Sequence, residues 1–85
     1  MISFPSLQSW NPHTNVATIV AEIDRKRVLC RVKAEVLSKK FQVIHENPML
    51  TVAKHKDDIE KVIRNLISRM RFEEDGSILI GYDDF

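Results

Sequence analysis

Eighty-five residues, 44% of them hydrophobic and 29% charged, hold one hydrophobic core, because half of so short a chain could not bury enough apolar surface to fold. Residues 1–85 are therefore read as a single domain. Two glycines and three prolines exclude a low-complexity chain, one cysteine excludes a disulfide framework, and no apolar run approaches the roughly 18 residues of a membrane span.

The net charge of +1 conceals an uneven distribution. Residues 1–23 hold one acid and no base, residues 24–46 seven Lys or Arg against three acids, residues 47–71 six against three, and residues 72–85 five acids alone. A basic middle before an acidic end reads first as an internal electrostatic match and second as two opposed surface patches. The start, Met1-Ile2-Ser3-Phe4-Pro5, lacks a basic segment and an apolar leader, so a cytoplasmic protein is expected.

Ile2-Ser3-Phe4 alternates apolar and polar and stops at Pro5, which removes a ladder donor; this predicts a short edge strand. A polar stretch with Trp10 and the turn-like Asn11-Pro12 follows. Val16 to Ile23 is rich in β-branched residues, with Ala17, Ile19, Ala21 and Ile23 on one face and Val16, Thr18, Val20 and Glu22 on the other. Apolar on both sides for most of its length, it predicts a central strand. Arg27 to Val32 sets Val28, Cys30 and Val32 against Arg27, Leu29 and Arg31 and completes a hairpin. The intervening Asp24-Arg25-Lys26 lacks the Gly or Asn of a tight turn with positive φ, which predicts a longer loop, with mild strain at Arg25 or Lys26 as the alternative.

From Ala34 the period changes, and Ala34, Leu37, Phe41 and Ile44 share a helical face while Lys33, Lys39 and Lys40 lie off it. Asn47-Pro48 has the form of an N-cap followed by proline at the first helical position, and opens a second helix. Its apolar stripe runs through Val52, Ile59, Ile63, Leu66 and Met70 with Lys56 interrupting it, so one helix of about 36 Å is expected as far as Arg71. A kink within Ala53 to Asp58, or a restart there with an aspartate cap, is the alternative. On its outer side Asp57 with Lys61 and Glu60 with Arg64 are i,i+4 pairs. Asp75-Gly76 supplies a turn, and Ser77 to Asp83 resumes strand alternation with Ile78, Ile80 and Tyr82 on one face. The expected fold is α+β and two-layered, with element order βββααβ, a mainly antiparallel sheet and the helices on one of its faces.

Several stretches together resemble a bacterial domain-of-unknown-function family, number 1488. They are Ile2-Ser3-Phe4-Pro5 followed by Trp10, Val28-x-Cys30-x-Val32 running into Ala34-Glu35-Val36-Leu37 and Phe41, His55-Lys56-x-x-Ile59-Glu60, and Asp75-Gly76-Ser77-Ile78-Leu79-Ile80. The resemblance spans nearly the whole chain and implies a compact α+β fold with a mainly antiparallel sheet; it brings no activity. Members often carry Gly after the hairpin aspartate and Ser before the first helix, where this chain has Arg25 and Lys33. Lys33 cannot cap a helix with its side chain.

His13, His45 and His55 fit no metal-ligand spacing, the nearest being His55 with Asp58, and read as surface or loop residues. Cys30 shares a face with Val28 and Val32 and reads as a buried thiol rather than a nucleophile. Glu73, Glu74, Asp75, Asp83 and Asp84 lack the spacing of a calcium loop, and Gly76 and Gly81 make no phosphate loop, so no metal or cofactor is implied. The most suggestive feature is the hairpin cluster Arg25, Lys26, Arg27 and Arg31, with Lys33, Lys39 and Lys40 following, which could contact an anion or nucleic acid. No stacking aromatics interleave with these bases, so a solvated face is the simpler reading.

The favoured function is a non-enzymatic protein-binding or regulatory module whose partner is a protein, including a homo-oligomer formed through a strand edge. An accessory nucleic-acid binder using the basic hairpin is second, and an enzyme third. Because the sheet must draw on both ends of the chain, deletion of Ser77 to Phe85 is expected to abolish cooperative thermal unfolding, as followed by circular dichroism. A shortened chain that still melts cooperatively refutes the topology.

Overall fold

The computed structural model describes residues 1–44 and 46–85, so His45 lies outside the described residues. Within them the elements are β1 (Ile2–Ser3), β2 (Gln8–Asn11), β3 (Val16–Ile23), β4 (Lys26–Lys33), α1 (Ala34–Phe41), α2 (Pro48–Lys54), α3 (Lys56–Ser68), β5 (Ile78–Ile80) and a 3₁₀ turn, Tyr82–Asp84. The fold is the expected mixture of α and β, strands first, with one more strand and one more helix than βββααβ.

The sheet is built on β3 and β4, eight residues each, paired antiparallel from Val16 opposite Lys33 to Ile23 opposite Lys26. Outside β3 lie β1, opposite Ile23 and Glu22, and β2, opposite Val16 to Ile19. The two share one edge, separated by Pro5 and by Ser6 at φ 62°, and the Leu7 carbonyl between them accepts from Val20 N at 3.0 Å. The stretch around Trp10 is thus a strand and not a polar connection, because Trp10 stands opposite Ala17 and packs against the core. On the far side β5 runs parallel to β4, Cys30 opposite Ile78 and Val32 opposite Ile80. Only a long crossover can deliver a parallel neighbour, and the three helices form it.

The hairpin turn is the tight one. Asp24 and Arg25 alone connect Ile23 to Lys26, at φ 49° and 71°, the doubly left-handed geometry whose twist matches that of the flanking strands. The expected longer loop is corrected, and the alternative of strain at Arg25 holds: strand pairing extends to the last residue and imposes the turn on two non-glycine residues, Asp24 and Arg25.

One face of the sheet is covered. Ala17, Ile19, Ala21, Val28, Cys30, Val32, Ile78 and Ile80 meet Leu37, Val52, Ile59, Val62, Ile63 and Leu66 from the helices. The helix at Ala34 forms without a capping side chain, because the Asn15 carbonyl from the β2–β3 turn accepts the Ala34 N–H at 2.9 Å. It stops at Phe41 with Gln42 left-handed, so Ile44, expected on its apolar stripe, is 81% exposed instead. Asn47 caps α2 as its sequence predicts, its Oδ1 accepting from Met49 N at 2.9 Å.

The single long helix is also corrected, since α2 and α3 are separated at His55, with φ −112° and ψ 28°. Eight-residue strands span about 26 Å, shorter than the helix expected, and a break lets two shorter stripes cover the sheet. The imidazole stacks flat on Phe41, centroids 3.9 Å apart. Glu60 pairs with Lys56 (3.8 Å) rather than Arg64, and Arg64 lies over the Phe4 ring. α3 ends at Ser68 in a Schellman turn, Arg71 N donating to Leu66 O and Met70 N to Ile67 O, so Met70 is left-handed (φ 54°) and exposed rather than part of the stripe. The final strand is shorter than expected, and Tyr82 belongs to the 3₁₀ turn.

Met70 and Arg25 occupy conformations that cost an L-residue about 1 kcal/mol and glycine almost nothing. Met70→Gly and Arg25→Gly are each expected to stabilise the protein by up to about 1 kcal/mol, read as a rise in the urea midpoint at unchanged slope.

Candidate interaction surface

Alternation places the second row of each strand on the side away from the helices. Val16, Thr18, Val20 and Glu22 of β3 face outward with Arg27, Leu29, Arg31 and Lys33 of β4, and Ser9 of β2 and Leu79 of β5 extend the surface. Leu29 is 42% exposed and Leu79 45%. No element covers this face among the described residues, and its apolar centre has a basic border.

This alternation divides the basic hairpin. Arg27 and Arg31 stand on the open face with Lys33, Lys26 belongs to the row that faces the helices, and Arg25 sits in the turn. Arg31 has a partner: its guanidinium lies 3.5 Å from Asp75. Asp75 also accepts from Ser77 Oγ at 2.6 Å and Ser77 N at 2.9 Å, and these bonds, with Arg31 adding to them, hold its carboxyl below the ordinary range. Asp75 is the one acid after Arg71 with an ion-pair partner among the described residues. The internal match between basic middle and acidic end is thus one contact; Lys39 bonds Glu35 of its own helix, and Lys40 lies over the Tyr82 ring.

The other candidates separate. His13 lies in the β2–β3 turn, its N–H bonded to Asn11 Oδ1, and His55 stacks on Phe41 with Nδ1 3.9 Å from Asp58. No three His, Cys, Asp or Glu converge as a metal site among the described residues. Cys30 is fully buried between Val28 and Val32, and burial pushes its thiol up to about 12, against a smaller opposing contribution from the Ala21 backbone.

One feature escaped the sequence reading. A cleft of about 750 Å³ lies between α1, α3 and the chain's last residues, with Phe41, Val62 and Phe85 beside Lys40, Lys61, Arg69, Asp58 and Asp83. Phe85 meets Phe41 edge to face at 5.4 Å. Its only advance signal was Phe41, which the sequence places on the apolar face of the first helix, and its charges of both signs single out no ligand class.

Comparisons with known proteins bear on the fold. A family model described as "Protein of unknown function (DUF1488)" matches residues 2–80. A crystal structure of a protein of unknown function from that family, from Shewanella loihica PV-4, superposes with a TM-score of 0.85 at 19% identity, covering 94% of this chain and 91% of that one. None of the curated proteins compared matches the chain. No helix is long and apolar enough to cross a membrane among the described residues.

The buried thiol gives a test. Its folded pKa exceeds the ordinary 9.0, so its contribution to stability is complete below about pH 9 and is lost as pH rises toward 12. Native protein at pH 8 is expected to leave Cys30 unlabelled by a disulfide reagent that reacts at once after unfolding in guanidinium; rapid native labelling refutes the burial.

Proposed function

Because the chain belongs to the DUF1488 family, whose description assigns no activity, its function has to be read from its own surface, and we propose that it is a non-catalytic, cytoplasmic protein-binding module that works through the open face of its sheet. One observation carries this reading: Leu29 and Leu79 stand exposed on a face that also presents Val16 and Val20 inside a frame of charge. An apolar centre with a polar rim is the anatomy of a protein interface.

Edge pairing fits less well. β5 is three residues long, and the opposite edge is interrupted by Pro5 and the left-handed Ser6, both devices that blunt strand addition. The alternative is nucleic-acid binding through Arg27, Arg31 and Lys33, favoured by their common face. Leu29 between them offers nothing to a phosphate backbone, Trp10 belongs to the row opposite, and Arg31 already meets Asp75.

A photo-crosslinking amino acid at Leu29 or Leu79 is expected to trap a polypeptide in cells, while the same group at Lys61 on α3 does not. Absence of a protein adduct from both sheet positions overturns the reading. Retention on single- or double-stranded DNA or RNA that weakens with salt, and is lost in Arg27→Ala with Arg31→Ala, would favour the alternative.

A further inference from the structure

Taken whole, the cleft beside Phe41 and Phe85 mixes charges of both signs, but sorted by element they separate. The walls from α1 and α3, with Arg69 at the end of α3, carry Lys40, Lys61 and Arg69 against Asp58 alone, around the apolar Phe41 and Val62. Asp83, Asp84 and Phe85, on the other side, all belong to the segment that follows β5. Two acids and an aromatic ring thus face three bases and an aromatic ring, a match of charge and of polarity. None of these residues lies in a strand, so the cleft is separate from the open face of the sheet and does not depend on the reading of that face.

The segment after β5 is seated lightly. Its 3₁₀ turn closes on itself, Gly81 N donating to Asp84 Oδ2 at 2.6 Å and Asp84 N to Gly81 O at 3.1 Å. Among the described residues no hydrogen bond or ion pair joins residues 82–85 to the helices. What holds them is Phe85, half-buried against the core with its ring edge on to Phe41 at 5.4 Å, and the Lys40 ammonium, 4.9 Å from the Tyr82 centroid and 5.9 Å from that of Phe85. Residues 82–85 can therefore leave the helices without breaking a hydrogen bond. The seat is also incompletely used. Lys61, Arg69 and Asp83 have no ion-pair partner among the described residues, and the cleft keeps about 750 Å³, room for several further side chains.

We infer that this cleft is a docking site for an acidic segment of a partner protein that bears an aromatic residue, and that residues 82–85 are its removable internal occupant. The ring of such a segment takes the place of Phe85 on Phe41, and its carboxylates reach Lys61 and Arg69, which the internal segment leaves unmet. A short tether holds the internal occupant at high effective concentration, so it screens the site from weak ligands. For the same reason a crosslinking group at Lys61 stays silent while the segment is seated.

The test is fluorescence anisotropy of the whole chain with a labelled peptide, Ile-Gly-Tyr-Asp-Asp-Phe, which repeats residues 80–85. Phe85→Ala is expected to bind it about tenfold or more tightly than the unaltered chain does, because the internal competitor is weakened. Asp83→Lys, at an exposed position outside the core, is expected to act in the same direction, and it carries the test should Phe85→Ala fail to fold in a thermal melt. Adding Lys61→Glu and Arg69→Glu to either variant is expected to weaken binding by about tenfold or more, as is replacing both aspartates of the peptide by asparagine. Equal affinity in the unaltered and loosened chains, or binding indifferent to the reversal of Lys61 and Arg69, overturns the site. Self-association of the unaltered chain that Phe85→Ala abolishes would make the segment of a second copy the occupant, and overturns the partner protein.

Discussion

Alternation along the β3–β4 ladder is the constraint on which the rest of the structure depends. Two eight-residue strands in unbroken register give every second residue to one face, so the small and branched row of Ala17, Ile19, Ala21, Val28, Cys30 and Val32 is committed to a single side. Slipping the register by one residue would send that row into water and bring Arg27 and Arg31 inward, at a cost far above the few kcal/mol by which a small domain is stable. The tight turn at Asp24-Arg25 follows from the same register. Holding Ile23 opposite Lys26 leaves two residues to reverse the chain, and left-handed backbone is the geometry that does so while matching strand twist.

The helices answer to that buried row. They bring Leu37, Val52, Ile59, Ile63 and Leu66 onto it and carry the chain back so that Ile78 and Ile80 can close the far side beside Cys30 and Val32. Their ends are settled by backbone groups as much as by side chains: Asn15 lends α1 a carbonyl from another part of the chain, and Met70 adopts a conformation usually left to glycine. The separation of α2 from α3 at His55 fits the same logic, because each segment keeps its own apolar positions on a sheet shorter than one continuous helix would be.

With one face of the ladder closed, the other acquires its character by default. Exposed leucines, half-buried valines and threonine, and one acid among three bases are what two half-apolar strands leave behind when helices cover one side only. That surface, rather than the basic hairpin as a unit, carries the functional reading, since the hairpin's charges point in different directions. Cys30 contributes packing, and burial keeps it protonated.

Much of this was legible in the sequence. The central strand, its two faces, the hairpin, the buried thiol, the Asn47 cap and the final strand all express local periodicity or local chemistry, which a chain carries wherever it folds. The strand at Trp10 and the exposure of Ile44 and Met70 were not legible, and the break at His55 was legible only as an alternative within Ala53 to Asp58, because each depends on what lies opposite: Trp10 on Ala17, His55 on Phe41, and the helix ends on the length of the sheet beneath. The cleft between Phe41 and Phe85 joins residues far apart in sequence and has no local signature. By itself the sequence determined which residues alternate, and so the class of fold. Tertiary structure decided which row is buried alongside which helix, and therefore which of the basic residues share a surface, because a period of two defines two faces without saying which one the rest of the chain will cover.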